Sequence, residues 1–270
     1  MPIITKITRQ KNNPERYNIY IEENYAFAVD ESLLIKYQLS KDKVLEDWER
    51  DEILFDDEVR KAFNKALHFL SFRMRSEHEV KKKLIDAEYG EAVVLEAIQK
   101  LYQLGFLNDE SFSRALLETQ KKTGKKGPRV IQQELKKKGI KKSLQEEVLE
   151  TYTEEDQTQI AQGLADKIAN QQSSNTPRQV KQKIQDTLLR KGYNYAIISK
   201  VIAEINFETE TEEWEEMIAK QGDKIWRTTS SKYKGYDRVR RVKQALYQKG
   251  FPSEQIDIFI EKKELEEDGN

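Results

Sequence analysis

The stretch from Lys121 to Lys142 carries ten cations against one acid, Glu134: Lys121, Lys122, Lys125, Lys126, Arg129, Lys136, Lys137, Lys138, Lys141 and Lys142. A second basic stretch holds Lys224, Arg227, Lys232, Lys234, Arg238, Arg240, Arg241 and Lys243, interleaved with Trp226, Tyr233 and Tyr236. Arg73 and Arg75, followed by Lys81, Lys82 and Lys83, form a third cluster. Cations gathered on helix faces can follow a phosphate backbone or an acidic protein groove, in a manner weakened by salt. Aromatic side chains among them can stack on bases. The plainer alternatives are that the cations coat solvated helix faces and that the aromatics pack in a core. The sequence alone leaves both open.

Other chemistries find little support. His68 and His78 are the only histidines; their spacing is not that of a metal pair, and no third ligand lies near. Gly124-Lys125-Lys126-Gly127 lacks the spacing and the Lys-Ser/Thr ending of a phosphate loop. No nucleophile elbow and no dinucleotide fingerprint occurs. Acidic pairs such as Asp56-Asp57 and Glu146-Glu147 fall at expected helix starts or on helix faces, where negative charge is favourable in any case. The expectation is a protein that is not an enzyme and needs no cofactor or metal.

Composition sharpens this. The chain has 270 residues, 35% of them charged and 37% hydrophobic, with a formal net charge of −1. That is thin for one large core and suits an elongated protein of small helical units. Because net charge is near zero, an anion-binding footprint must arise from local segregation. The absence of cysteine excludes disulfides, zinc–thiolate sites and cysteine catalysis, and fits a reducing compartment. The opening Met1-Pro2-Ile3-Ile4-Thr5-Lys6 lacks a signal peptide's apolar stretch, and no run approaches the ~18 apolar residues of a membrane span. A cytoplasmic protein without membrane contact is expected.

The elements that would position the cations follow from periodicity. Tyr17, Ile19 and Ile21, then Tyr25, Phe27 and Val29, alternate with a period of two and read as a hairpin. Ile4 to Ile7 adds a third strand, with Lys11-Asn12-Asn13-Pro14 as the turn. From Ser32 onward the pattern is helical. Val59, Ala62, Phe63, Ala66, Leu67 and Leu70 form one apolar stripe, starting at Asp57. Ser76-Glu77-His78-Glu79 has capping-box spacing, and Val94, Ile98, Leu101 and Leu104 form a further stripe, stopped by Gly105. This helix–helix–helix unit recurs. Lys138-Gly139-Ile140, Lys191-Gly192-Tyr193 and Lys249-Gly250-Phe251 each follow a basic amphipathic helix, with a leucine four residues before the glycine. The glycines are 53 (192 − 139) and 58 (250 − 192) residues apart, with Gly90 a looser match 49 before Gly139 (139 − 90). Glycine past a helix end takes the left-handed conformation that reverses the chain. Small units that bury little alone should stack on their neighbours. Gln171-Gln172-Ser173-Ser174-Asn175 is expected to be a mobile loop. The acidic end, Glu264 to Asn270, is expected to fray.

Several segments together resemble a known family. Arg73-Met74-Arg75-Ser76-Glu77-His78-Glu79-Val80 resembles the Arg-x-Arg-Ser-x-x-Glu segment of RecX regulators. Gly105-Phe106-Leu107-Asn108-Asp109-Glu110-Ser111-Phe112 resembles the junction between that family's first two repeats. Lys126-Gly127-Pro128-Arg129-Val130-Ile131, with Glu134-Leu135 and Lys138-Gly139-Ile140, resembles its second-repeat motif. Ser113 stands where the family often has alanine. Glu15-Arg16-Tyr17-Asn18-Ile19-Tyr20 is similar to the N-terminal extension of the longer Gram-positive members, while the match beyond about Asn170 is weaker.

The resemblance implies a mainly α fold of tandem three-helix repeats in an elongated, curved array, with a small N-terminal β-hairpin or three-stranded sheet. The implied divisions are 1–56 for the β-hairpin and its helical extension, 57–108, 109–152 and 153–207 for the first three repeats, and 208–270 for the fourth repeat with the acidic tail. It implies binding in the groove of the RecA–DNA filament, with lowered ATP hydrolysis, strand exchange and co-protease activity, in recombination, DNA repair and the SOS response. Weaker electrostatic contact with single- or double-stranded DNA and a monomeric state are also expected; an autonomous DNA-binding helical-repeat protein is the alternative. The residues expected to contact RecA or DNA are Arg73, Arg75, Lys121, Lys122, Lys125, Lys126, Arg129, Lys136, Lys137, Arg238, Arg240 and Arg241.

Overall fold

The computed structural model describes residues 2–171 and 174–268. The expected loop at 171–175 therefore falls partly outside the described residues, as do the last two residues of the acidic end. The chain divides into two compact units, Met1–Leu116 with Glu134–Val148, and Leu117–Gln133 with Leu149–Asn270.

The first unit opens with an antiparallel meander, β1 (Ile4–Arg9), β2 (Arg16–Ile21) and β3 (Asn24–Asp30), in that spatial order. The alternation read from sequence holds for Ile19, Phe27 and Val29, which are buried with Ile4, but not for Tyr25, which lies past a register shift and is 60% exposed. The β2–β3 turn is Glu22-Glu23, with φ 50° and 64°. Two central residues at positive φ match the twist of the flanking strands. Asp30 caps α1 (Glu31–Lys36), its carboxylate accepting from the Ser32 N–H.

The stripe expected to open a helix at Asp57 belongs to a longer one, α2 (Asp47–Ser71). Asp57 is thus an interior residue, 2% exposed. It accepts two hydrogen bonds from the Arg16 guanidinium (3.0 and 2.8 Å) and one from the Asp30 N–H (3.2 Å), tying α2 to the sheet. With α3 (Glu77–Ile85) and α4 (Glu91–Gln103), α2 encloses a core of Val59, Phe63, Val80, Leu84, Val94, Ile98 and Leu101. Leu104, expected on the same stripe, lies past the end of α4 and is exposed.

Three further helix triplets follow. The second comprises α5 (Asp109–Thr119), α6 (Pro128–Lys137) and α7 (Lys142–Glu150), with a π-helical turn, Gln120–Gly124, between α5 and α6. In the second unit, α8 (Glu154–Asn170), α9 (Pro177–Lys191) and α10 (Tyr195–Glu204) surround Ile184, Leu188, Tyr193, Ile198 and Val201. There too α11 (Thr211–Ser230), α12 (Gly235–Lys249) and α13 (Ser253–Asp268) surround Trp226, Leu246, Phe251, Ile256 and Phe259. The acidic end is helical through Asp268 rather than frayed.

The middle helices α3, α6, α9 and α12 end alike. The N–H at the left-handed position bonds three residues back, and the next N–H bonds to the leucine five back. Gly139 donates to Lys136 O and Ile140 to Leu135 O; Gly192 to Leu189 O and Tyr193 to Leu188 O; Gly250 to Tyr247 O and Phe251 to Leu246 O. In the first triplet Glu88, at φ 65°, fills this place, with Tyr89 donating to Leu84 O. Gly90, the looser match in the sequence, instead precedes α4 with φ −63°. The repeat spacing becomes 51 (139 − 88), 53 and 58 residues.

Each of the three glycine turns sits against the first turn of the preceding middle helix. In the first unit Gly139 abuts His78 Cβ. In the second, Gly192 abuts Val130, and Gly250 abuts Arg178. The Gly127 N–H donates to Lys191 O (2.8 Å), the Arg129 N–H to Gly192 O (3.3 Å), and Thr176 Oγ1 to Lys249 O (2.5 Å). Backbone N–H groups or a capping hydroxyl at one helix start thus meet carbonyls at another helix end, with dipoles of opposite sign.

Candidate polyanion-binding surfaces

The twelve cations singled out from sequence fall into two groups. Arg73, Arg75, Lys121 and Arg238 are taken up by internal contacts. Arg73 Nη2 and Lys138 Nζ both reach Glu79 Oε1, at 2.9 and 2.8 Å. Arg75 lies 3.8 Å from the same oxygen and 4.1 Å from the centre of the Phe69 ring. Lys121 Nζ bonds to Asp156 (2.8 Å) and Glu118 (3.3 Å) and sits over the Tyr152 ring. Burial disfavours the Lys121 charge, but the two carboxylates outweigh it and hold its pKa above the usual lysine value.

Arg238 departs most from expectation. Its side chain is only 11% exposed. It lies 3.8 Å over the Trp226 ring and makes a two-pronged bond to Glu267, both contacts 2.8 Å. Trp226 Nε1 donates to the same carboxylate (2.9 Å), so the tryptophan is a packing residue here and not a base platform. Glu267, in the stretch expected to fray, thereby fastens α11 and α12 to α13.

Seven of the other eight face solvent. Lys122 is 77% exposed, its one ion pair among the described residues being to Glu118 at 3.7 Å. Lys125, Arg129, Lys136, Lys137 and Arg240 are exposed and form no ion pair among the described residues. Arg241 is exposed but stacks over Tyr233 at 3.9 Å. Lys126 is half-buried. Within α6, Arg129, Lys136 and Lys137 recur at i, i+7 and i+8, on the side of the helix away from the buried Ile131 and Leu135. Of the three aromatics interleaved with the second basic stretch, Trp226 is buried, Tyr233 lies beneath Arg241, and Tyr236 offers an open ring at 82% exposure.

The Arg-x-Arg-Ser-x-x-Glu segment proves to be architecture. Ser76 Oγ accepts from the Glu79 N–H, and Glu79 returns a bond to the Ser76 N–H, both 3.3 Å. Glu79 then gathers Arg73, Arg75 and Lys138, joining the start of α3 to the end of α6. Burial alone would raise the Glu79 pKa; the hydrogen bonds from Lys138, Arg73 and the Ser76 backbone outweigh it and lower it below the ordinary 4.5. A depressed folded-state value means stability that is present above pH 4.5 and is lost as pH falls through the folded value. Glu79→Gln keeps the box, as Thr176 and Gln179 do at the start of α9, and removes only the charge. It should cost about 2 kcal/mol at neutral pH. In urea unfolding across pH, the gap from the parent should close as pH falls below 4.5; a gap independent of pH would mean that the charge does not matter.

Sequence reasoning passed over the residues that hold the basic turn. Lys191 Nζ donates to Gly124 O (2.7 Å), Tyr193 OH to Lys125 O (3.2 Å) and Tyr152 OH to Lys126 O (3.3 Å). Three consecutive carbonyls of the turn thus accept hydrogen bonds from side chains outside it. The tyrosine after Gly192 was legible as a packing residue only; nothing in the sequence links its hydroxyl to a carbonyl 68 positions away.

With this geometry established, comparison with known proteins is decisive. The RecX N-terminal domain matches residues 2–46, the first three-helix domain 62–101 and the second 108–149. The third three-helix domain matches twice, at 154–202 and 211–260. The chain belongs to the RecX family. It is 39% identical to the regulatory protein RecX of Bacillus velezensis over 265 residues, covering 98% of this chain and 100% of that protein. It is 38% identical to that of Bacillus subtilis, with the same coverage. A crystal structure of regulatory protein RecX superposes with a TM-score of 0.66 at 33% identity, covering 76% of this chain and all of that one. RecX from Lactobacillus salivarius gives 0.53 at 37% identity, covering 55% of this chain and 97% of that one. The double match makes α11–α13 a second copy of the α8–α10 module. Among the described residues no helix is long and apolar enough to cross a membrane.

Proposed function

We propose that this RecX-family chain binds the RecA–DNA filament and restrains RecA's ATP hydrolysis, strand exchange and co-protease activity, acting as a cytoplasmic monomer. The observation that carries the reading is a regulatory-family module array in which Lys122, Lys125, Arg129, Lys136 and Lys137 are solvent-facing while neighbouring cations are consumed internally. Cations already desolvated by acid partners add little to a new contact, whereas free ones release counterions or meet carboxylates. Several such contacts along a repetitive filament add through effective concentration.

The test is DNA-dependent ATP hydrolysis by the cognate RecA, titrated with this protein, beside capture on RecA-coated and bare DNA. Hydrolysis should fall with added protein, and coated DNA should retain more of it than bare DNA does. Unchanged hydrolysis with equal capture by bare DNA would replace this reading with that of an autonomous DNA-binding protein.

A further inference from the structure

We propose that Tyr152, Tyr193 and Lys191 form a carbonyl clamp that holds the basic turn Gln120–Gly127 in its binding shape, so that the following module sets how the second module presents its cations. The identity of the partner rests on the reading above; the clamp itself does not.

The turn is costly by itself. It opens as a π-helical turn, a rare form that recurs at functional sites. It then passes through Lys125 at φ 48°, ψ 47°, a left-handed conformation that a residue with a Cβ avoids. Such a conformation persists only where the surroundings over-determine it. Here three consecutive carbonyl groups, of Gly124, Lys125 and Lys126, each accept from a side chain outside the turn, at 2.7, 3.2 and 3.3 Å. The Gly127 N–H is fixed as well, by Lys191 O.

Two of the three donors are core side chains. Tyr152 and Tyr193 are buried, their hydroxyls 3.4 Å apart. Burial pushes both phenols above the usual tyrosine pKa, so both keep the proton they donate. Tyr193 is also the residue that follows the Gly192 turn, so its place is fixed by the end of α9. With the backbone pinned from beneath, Lys122 and Lys125 have only outward directions left, and Arg129 follows one turn into α6.

The experiment compares four full-length proteins: the parent, Tyr152→Phe/Tyr193→Phe, Lys191→Met, and Lys122→Gln/Lys125→Gln. Lys191→Met is included because it removes a half-buried lysine with no loss of core aromatic, should the double phenylalanine variant fold poorly. Amide exchange in the free protein should quicken about tenfold at residues 122–127 in the clamp variants, with the core amides of α9 much less affected. The concentration giving half-maximal inhibition of RecA ATPase should rise roughly fivefold, and its dependence on salt should flatten as it does for Lys122→Gln/Lys125→Gln. Combining Lys191→Met with Lys122→Gln/Lys125→Gln should add little beyond either, because the clamp acts through those cations; a general loss of stability would instead add.

Unchanged exchange at 122–127 overturns the clamp. Faster exchange with unchanged half-inhibition and salt slope overturns its role in binding, while leaving the proposed function standing. A parent protein that fails to inhibit RecA sinks the proposed function alone, and the exchange measurement still decides the clamp.

Discussion

Replacing Gly192 by alanine should lower the unfolding free energy by about 3 kcal/mol, combining the strain of a left-handed alanine with an unrelieved overlap. Its φ is +92°, and a Cβ there would stand 2.6 Å from the Val130 backbone N. That atom cannot swing aside as a flexible side-chain end can, so the joint between α6 and α9 must open or α9 must give up its final turn. Gly105→Ala is the control. Gly105 also has positive φ, +74°, but nothing lies within 4 Å of its notional Cβ. It should lose only the backbone share, about 1 kcal/mol. Glu88 makes the same point from inside the chain: a side chain is tolerated at the left-handed position of the first module. Chemical unfolding of the two variants side by side measures the difference. Equal losses would mean that chain reversal alone, and not close seating of one middle helix on another, requires glycine at 192.

This distinction also explains what could be read in the sequence. The three glycine turns were legible because close approach forces a residue type, and their leucines because burial does. The turn of the first triplet was hidden, since Glu88 fulfils the same backbone role under no such constraint. Strand alternation marked Ile19, Phe27 and Val29 correctly, since each strand buries one face. The start of α2 was missed because residues 47–56 bury only Ile53 and leave Trp48, Leu54 and Phe55 exposed, so no apolar stripe runs back from Asp57, and Asp57 looked like a helix-start acid until Arg16, 41 residues earlier, came beside it. Among the cations, type and spacing could not separate those that present charge from those that spend it. Arg238 and Arg240 read alike in sequence. Only one has Glu267 within reach, 29 positions on and in a segment that composition marks as loose. Long-range partners of polar groups leave no periodic trace, and that is why the faces of the helices were legible and the uses of the charges were not.

Reversing Lys122, Lys125 and Arg129 together to glutamate should raise the concentration needed for half-maximal inhibition of RecA ATPase by more than about tenfold, with the loss greatest at low salt. All three are solvent-exposed, and none is held by a close ion pair. Folding should change little, since exposed substitutions away from buried features stay within about 0.5 kcal/mol. Lys126 is left in place because it is half-buried and its carbonyl belongs to the clamp. The informative contrast is Arg238→Glu. It sets a carboxylate against Glu267 and removes the cation over Trp226, so it should loosen α11–α13 before it alters any outward charge. If basic surface is what the filament reads, the triple variant keeps the parent's melting temperature and loses inhibition, whereas Arg238→Glu loses melting temperature first. A triple variant that inhibits as well as the parent across salt concentrations would remove this surface from the interface and leave the cations of α6 beyond Arg129, Lys136 and Lys137, as the ones to reverse next.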